Sequence, residues 1–163
     1  MKKVLCLVFL VSIMACQAPQ NQFTEVSPEI ESVQKSLEAF LKQDWTTFRS
    51  IYADTAKIAV NTSDIMKFIN NDQHIEEEKA THENFTDIKF ADVDYKMLIT
   101  ETGEKWVLVW FNASARTRSG VEVKISGHEK FHFVNGKVVF QMNYYDTLPL
   151  YFALQPVDSS GGK

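Results

Sequence analysis

Apolar residues recur at helical spacing in the first half of the chain and alternate with polar ones in the second. Ile30, Val33, Leu37, Phe40 and Leu41 share one helix face. Ser27-Pro28-Glu29 supplies an N-cap, a proline at the first helical position and an acid in the first turn. The spacing predicts a helix over 28–42. Asp44 reads as the N-cap of a second helix, with Trp45, Phe48, Ile51 and Tyr52 on one face, and a short strand follows near 57–60. Ser63 is expected to start a third helix that runs to about His82, apolar in its first half and polar in its second. From Phe85 the period becomes two. Ile88 and Phe90 alternate, then Val93, Tyr95, Met97 and Ile99 alternate on the other parity, so a bulge is expected near Ala91. Turn residues then separate strands at 106–114, 121–134 and 137–146, the last two joined by the tight-turn pair Asn135-Gly136. Leu148 to Leu154 is expected to form a final helical turn. Helices followed by antiparallel strands predict an α+β fold, with the helices covering one face of a curved sheet.

The N-terminus has a different pattern. Lys2 and Lys3 precede an eleven-residue apolar run, Val4 to Met14. That is shorter than the roughly 20 residues of a spanning helix and fits the core of a signal peptide. The run ends Ile13-Met14-Ala15-Cys16, which resembles the lipobox of bacterial lipoproteins. The resemblance implies a signal peptide over 1–15, a lipid on Cys16 and a polar tether over 16–27. The expected location is the cell envelope, held to a membrane by that lipid. Gln17 in place of an aspartate favours the outer membrane, periplasmic or surface facing, where the cell has one. The two cysteines, Cys6 and Cys16, are then accounted for without a disulfide.

Composition narrows the partners. Of 17 basic residues Lys2 and Lys3 would leave with the signal, so 15 face 21 acidic ones, a net charge of −6. An acidic domain is poorly suited to nucleic acid. Residues 28–154 suffice for one domain with its own core, and 155–163 form a Ser/Gly-rich tail.

Two segments carry a second resemblance. Asp44-Trp45-Thr46-Thr47-Phe48-Arg49-Ser50-Ile51-Tyr52-Ala53-Asp54 is one; Phe131-His132-Phe133-Val134-Asn135-Gly136-Lys137-Val138, ending at Tyr144-Tyr145-Asp146, is the other. Together they resemble nuclear transport factor 2-like (NTF2-like) proteins, among them SnoaL-like proteins and ketosteroid isomerases. The resemblance implies a cone over about 28–154, a bent antiparallel sheet around helices with a pocket at its open end. Ungapped alignment puts the isomerases' tyrosine on Ser36, their general base on Val60 and their oxyanion-hole acid on Glu129. Valine takes no proton, so isomerase chemistry is not expected. Strand parity under the same alignment turns Glu129, Phe131 and Phe133 inward, with Gln141, Asn143 and Tyr145 beside them. Trp110 is a further pocket candidate. Phe140, Met142 and Tyr144 would then face outward as a homodimer surface.

Weaker patterns remain. His74, Glu78 and His82 form an i, i+4, i+8 stripe that resembles a metal site, but Glu76, Glu77 and Lys79 beside it favour a solvated polar face, and no metal is expected. His128 and His132 flank Lys130 on what reads as an exposed strand face, and Arg116 and Arg118 lie in a turn. The resulting expectation is a lipid-anchored cone domain that binds a small, partly apolar ligand, with no cofactor. One alternative is an enzyme with Glu129 or Asp146 as acid or base. Another is a protein–protein interaction module. The surroundings of Glu129 separate them, because a dry carboxyl has a raised pKa and can act as an acid.

Overall fold

The computed structural model describes residues 22–155. The expected signal peptide over 1–15, Cys16 and residues 156–163 of the expected tail lie outside the described residues. The chain runs β1 (Gln22–Thr24), α1 (Pro28–Lys42), α2 (Trp45–Arg49), β2 (Tyr52–Val60), a 3-10 turn (Ile65–Lys67), α3 (Asn71–Asn84), β3 (Phe85–Ile99), β4 (Lys105–Thr117), β5 (Glu122–Val134), β6 (Lys137–Tyr145) and α4 (Leu148–Leu154). One six-stranded sheet has the order β1-β3-β4-β5-β6-β2. Its pairings are antiparallel except β2 with β6. The fold class is α+β, as expected. No helix among the described residues is long and apolar enough to cross a membrane.

Local chemistry sets the boundaries. The Ser27 side chain accepts from the Ile30 N–H and opens α1, and Asp44 accepts from Thr47 and opens α2. Asn135 and Gly136 both take positive φ, 51° and 74°, and close the β5–β6 hairpin. The sheet bends at β3, where the register to β4 shifts between Thr86 and Lys89 and again between Ala91 and Asp94. Asp87 and Asp92 sit at those shifts with φ of 53° and 50°, a left-handed conformation that aspartate tolerates better than most residues. The expected bulge near Ala91 is present, and a second precedes it.

Three expectations are corrected. The helix drawn from Ser63 does not form as one piece: Asp64 caps only the 3-10 turn, and Asn70 with Gln73 forms a reciprocal capping box that starts α3 later. Strand β2 starts at Tyr52, five residues before the expected Lys57. The tether over 16–27 is part strand, since Gln22, Phe23 and Thr24 pair with Ile99, Leu98 and Met97.

The core lies between α1 and the concave face of the sheet. Ile30, Val33 and Phe40 from α1 meet Val107, Val109 and Phe111 of β4 and Phe131 and Phe133 of β5, all buried. Helix α3 packs against β2, β3 and α2. The Asn71 amide donates to Ala53 O at 2.7 Å near its start. At its last turn the Arg118 guanidinium donates to His82 O and Glu83 O at 2.8 and 2.7 Å. Arg118 is therefore a helix cap.

Candidate functional site

Two adjoining cavities open inside the cone. The inner one, ≈80 Å³, lies among Phe40, Phe48, Tyr52, Tyr95 and Phe131. The outer one, ≈180 Å³, reaches toward Val60, Asn143, Tyr145 and Leu150 of α4. Phe40, Glu78, Phe90, Phe111 and Glu129 line both, so these residues form the neck between two lobes of one space. Each lobe is larger than the 10–15 Å³ or so that a single water needs.

Strand alternation supplies one polar wall. Gln141 and Asn143 turn inward from β6 and are 3% and 5% exposed, and Tyr145 is half-buried beside them. The Tyr52 hydroxyl donates to Gln141 Oε1 at 2.6 Å, and Gln141 Nε2 donates to Asn143 Oδ1 at 2.7 Å. This chain of bonds satisfies groups that would cost about 1–3 kcal/mol each if buried alone.

Helix α3 supplies the other wall. His74 is 2% exposed, packed against the rings of Phe48 and Tyr52, and its Nε2 lies 3.1 Å from Glu78 Oε1. His82 instead donates from Nε2 to Phe40 O at 2.9 Å, with its ring against Phe40 and Trp45. The stripe read as a solvated face is thus turned inward and split. His74 and Glu78 belong to the cavity, whereas His82 fastens α3 to α1.

Glu129 reaches the neck from β5. No hydrogen-bond partner among the described residues meets its carboxyl. Burial, and then the nearby Glu78 carboxylate, push its pKa from 4.5 up to about 8. Burial raises the Tyr95 hydroxyl to about 12, and Tyr52 and Tyr145 are raised for the same first reason, with the Glu129 and Glu78 charges adding to it. The tyrosines stay neutral donors, while Glu129 is mostly protonated at neutral pH. Phe111 reaches the neck because its cross-strand neighbour is Gly127, where any β-carbon would overlap the Phe111 ring.

The structure places Glu129, Phe131 and Gln141 on the inner lobe and Glu129, Asn143 and Tyr145 on the outer one. Ser36 and Val60 also line the space, one in each lobe. Two candidates fall elsewhere. Trp110 alternates with the buried Val109 and Phe111, so it lies on the convex face, 42% exposed and stacked on His128. Asp146 is exposed beyond the end of β6, where its carboxylate accepts from Leu148 N–H and begins the turn into α4. The outward stripe is also less open than expected. Phe140 packs against Phe68 and Trp106, Met142 is 7% exposed, and only Tyr144 of the three is well exposed, at 42%. Sequence reasoning missed Tyr52 and Tyr95, and it saw the spacing of His74 and Glu78 without their direction.

The chain superposes on an NTF2-like protein of unknown function from Burkholderia pseudomallei, with a TM-score of 0.65 at 17% identity over 80% of this chain and 100% of that one. A protein named as a candidate isomerase from Bacillus subtilis gives 0.64 at 14% identity, over 80% and 94%. TerC, crystallised with polyporic acid, gives 0.61 at 16% identity, over 78% and 98%. No protein-family model and no curated protein sequence matches the chain. The fold is the NTF2-like cone.

Proposed function

We propose that this NTF2-like cone domain binds a small, partly apolar molecule in its two-lobed cavity and does so without ketosteroid-isomerase chemistry. The supporting observation is the lining: aromatic rings surround an unpaired carboxyl and a connected polar chain, the mixture that small-molecule sites present. The isomerases' base position is Val60, which cannot accept a proton. A thermal-shift screen of small apolar alcohols, acids and amines tests the reading. At least one hit is expected, weakened by Tyr145→Ala or Asn143→Ala, whereas no hit in the whole screen would overturn it. A steroid enone should not isomerise.

A specific observation favours a second reading, an enzyme in which Glu129 donates a proton. Its carboxyl is protonated near neutral pH while Glu78, held by His74, faces the same neck. Asp146 has no part in it, being outside the cavity. Turnover lost in Glu129→Gln on any substrate found by the screen would move the assignment from binder to enzyme.

The Ile13-Met14-Ala15-Cys16 motif supports an envelope lipoprotein, tethered through Cys16. Fatty-acid labelling should mark the native chain and not Cys16→Ser. Homodimerisation through the convex face is part of the same proposal and rests on exposed Trp110 and Tyr144. A protein-interaction role for this face is the other occupant that its aromatic surface suits.

A further inference from the structure

We infer that the cavity's ligand is a cation, an amine or quaternary ammonium with a short apolar body, seated at the neck between Glu78 and Glu129. The inference rests on the binding reading above and narrows it by charge. Both carboxyl groups line both lobes, and Glu77 adds a third at the outer lobe. No lysine or arginine among the described residues lines either lobe. Phe40, Phe90 and Phe111 surround the same neck. Ring faces and carboxylates both attract positive charge, and a weakly hydrated cation gains most from such a cage. An anionic ligand would add negative charge beside these carboxyl groups, with no lysine or arginine on either lobe to offset it. A neutral ligand would gain nothing from the attraction of ring faces and carboxylates for positive charge.

The proton balance follows from the groups that face Glu129. These are His74, Glu77 and Glu78 from α3, Tyr95 from β3, Tyr145 from β6 and Tyr52 from β2. Empty, the Glu129 carboxyl keeps its proton below about pH 8. A bound cation favours the carboxylate, so below that pH each cation that enters expels the Glu129 proton to solvent, and no bond to the ligand forms or breaks. Affinity for a cation therefore rises with pH through that range, whereas affinity for a neutral molecule does not.

Choline and its uncharged isostere 3,3-dimethylbutan-1-ol, titrated by calorimetry into the intact lipidated chain in detergent, separate the possibilities. Choline is expected to bind about tenfold or more tighter than the alcohol at pH 9, a margin in keeping with a desolvated cation–π and ion-pair site. The margin should shrink toward pH 6.5. At pH 7, paired buffers of different ionisation heat should report proton release on choline binding and none with the alcohol. Glu129→Gln should bring the two affinities close together by lowering choline's. Glu78→Gln should lower choline affinity and provides a second variant if the first does not fold. Equal or tighter binding of the alcohol by the native chain, or choline binding without proton release at pH 7, overturns the inference and leaves the cavity reading intact. If neither probe binds and the broader screen is also empty, the cavity reading fails as well.

Discussion

The two faces of β6 invert the usual arrangement of a sheet. Gln141 and Asn143 point into the cavity and are almost fully buried, while Phe140, Met142 and Tyr144 lie on the opposite face, where Met142 is covered and Tyr144 is exposed. On β4 the familiar order holds, with Val107, Val109 and Phe111 inside and Trp106, Leu108 and Trp110 outside, although the outside is again apolar. The concave face is thus apolar toward β4 and polar toward β6. The convex face is held by stacking: Trp106 lies on His132 at 4.5 Å and 9°, with the Lys130 ammonium 5.7 Å from the Trp106 ring. A sheet that spends buried hydrogen bonds on one face and leaves aromatic rings on the other is arranged around an interior cavity, since stability alone would favour the reverse.

Breaking the apolar part of the concave face should have the largest effect. Phe133→Ala removes a ring that is 4% exposed and stands outside both lobes, and should cost about 3–5 kcal/mol in urea unfolding. Trp110→Ala on the convex face should cost well under half of that, because the ring already meets solvent. A similar loss from both would remove the distinction between the faces.

Within the concave face, Tyr52→Phe deletes the donor to Gln141 Oε1 and leaves that buried oxygen unsatisfied, at a cost of about 1–3 kcal/mol. An unchanged midpoint would mean that Gln141 finds another partner.

Glu129 makes the contrast depend on pH. Its folded-state pKa, about 8, lies above the ordinary glutamate value of 4.5, so the folded chain holds this proton more tightly than the unfolded chain does. Its contribution is then most favourable below 4.5, is lost as pH rises toward 8, and levels off above. Glu129→Gln should flatten that part of the stability profile and raise the melting temperature at pH 8. A profile unchanged by the substitution would place the carboxyl in water.

The smallest effect on stability is expected at Tyr144→Glu, within about 0.5 kcal/mol for an exposed site. The same substitution should split the proposed dimer in sedimentation. Met142→Glu cannot serve that purpose, because it would bury a charge in the protomer itself.

Much of this architecture was legible in local chemistry. Ser27-Pro28-Glu29 marks the start of α1, and Asn135-Gly136 fixes the hairpin that aims Glu129, Gln141 and Asn143 inward. What was missed depends on distant partners. Tyr52 to Val60 reads poorly as a strand because Asp54, Thr55 and Lys57 face solvent along the sheet's edge. The apolar spacing of Ile65, Met66, Phe68 and Ile69 mimics a helix, yet Ile65 and Met66 are 73% and 88% exposed, and Phe68 covers Phe140 on the far side of the sheet. His74 and Glu78 were visibly on one helix face. Which way that face turns is decided by Ala53 O at one end of α3 and Arg118 at the other, contacts that spacing along the helix does not encode.

Gly127 touches the cavity only through its neighbour. Because the ring of Phe111 occupies the volume that a methyl at position 127 would take, alanine there must displace the ring, and the open space beside it is the two lobes. The partition between the lobes is therefore adjustable by a single carbon placed behind it. Under the proposed binding function, Gly127→Ala should change the length of ligand accepted while leaving Glu78 and Glu129 in place.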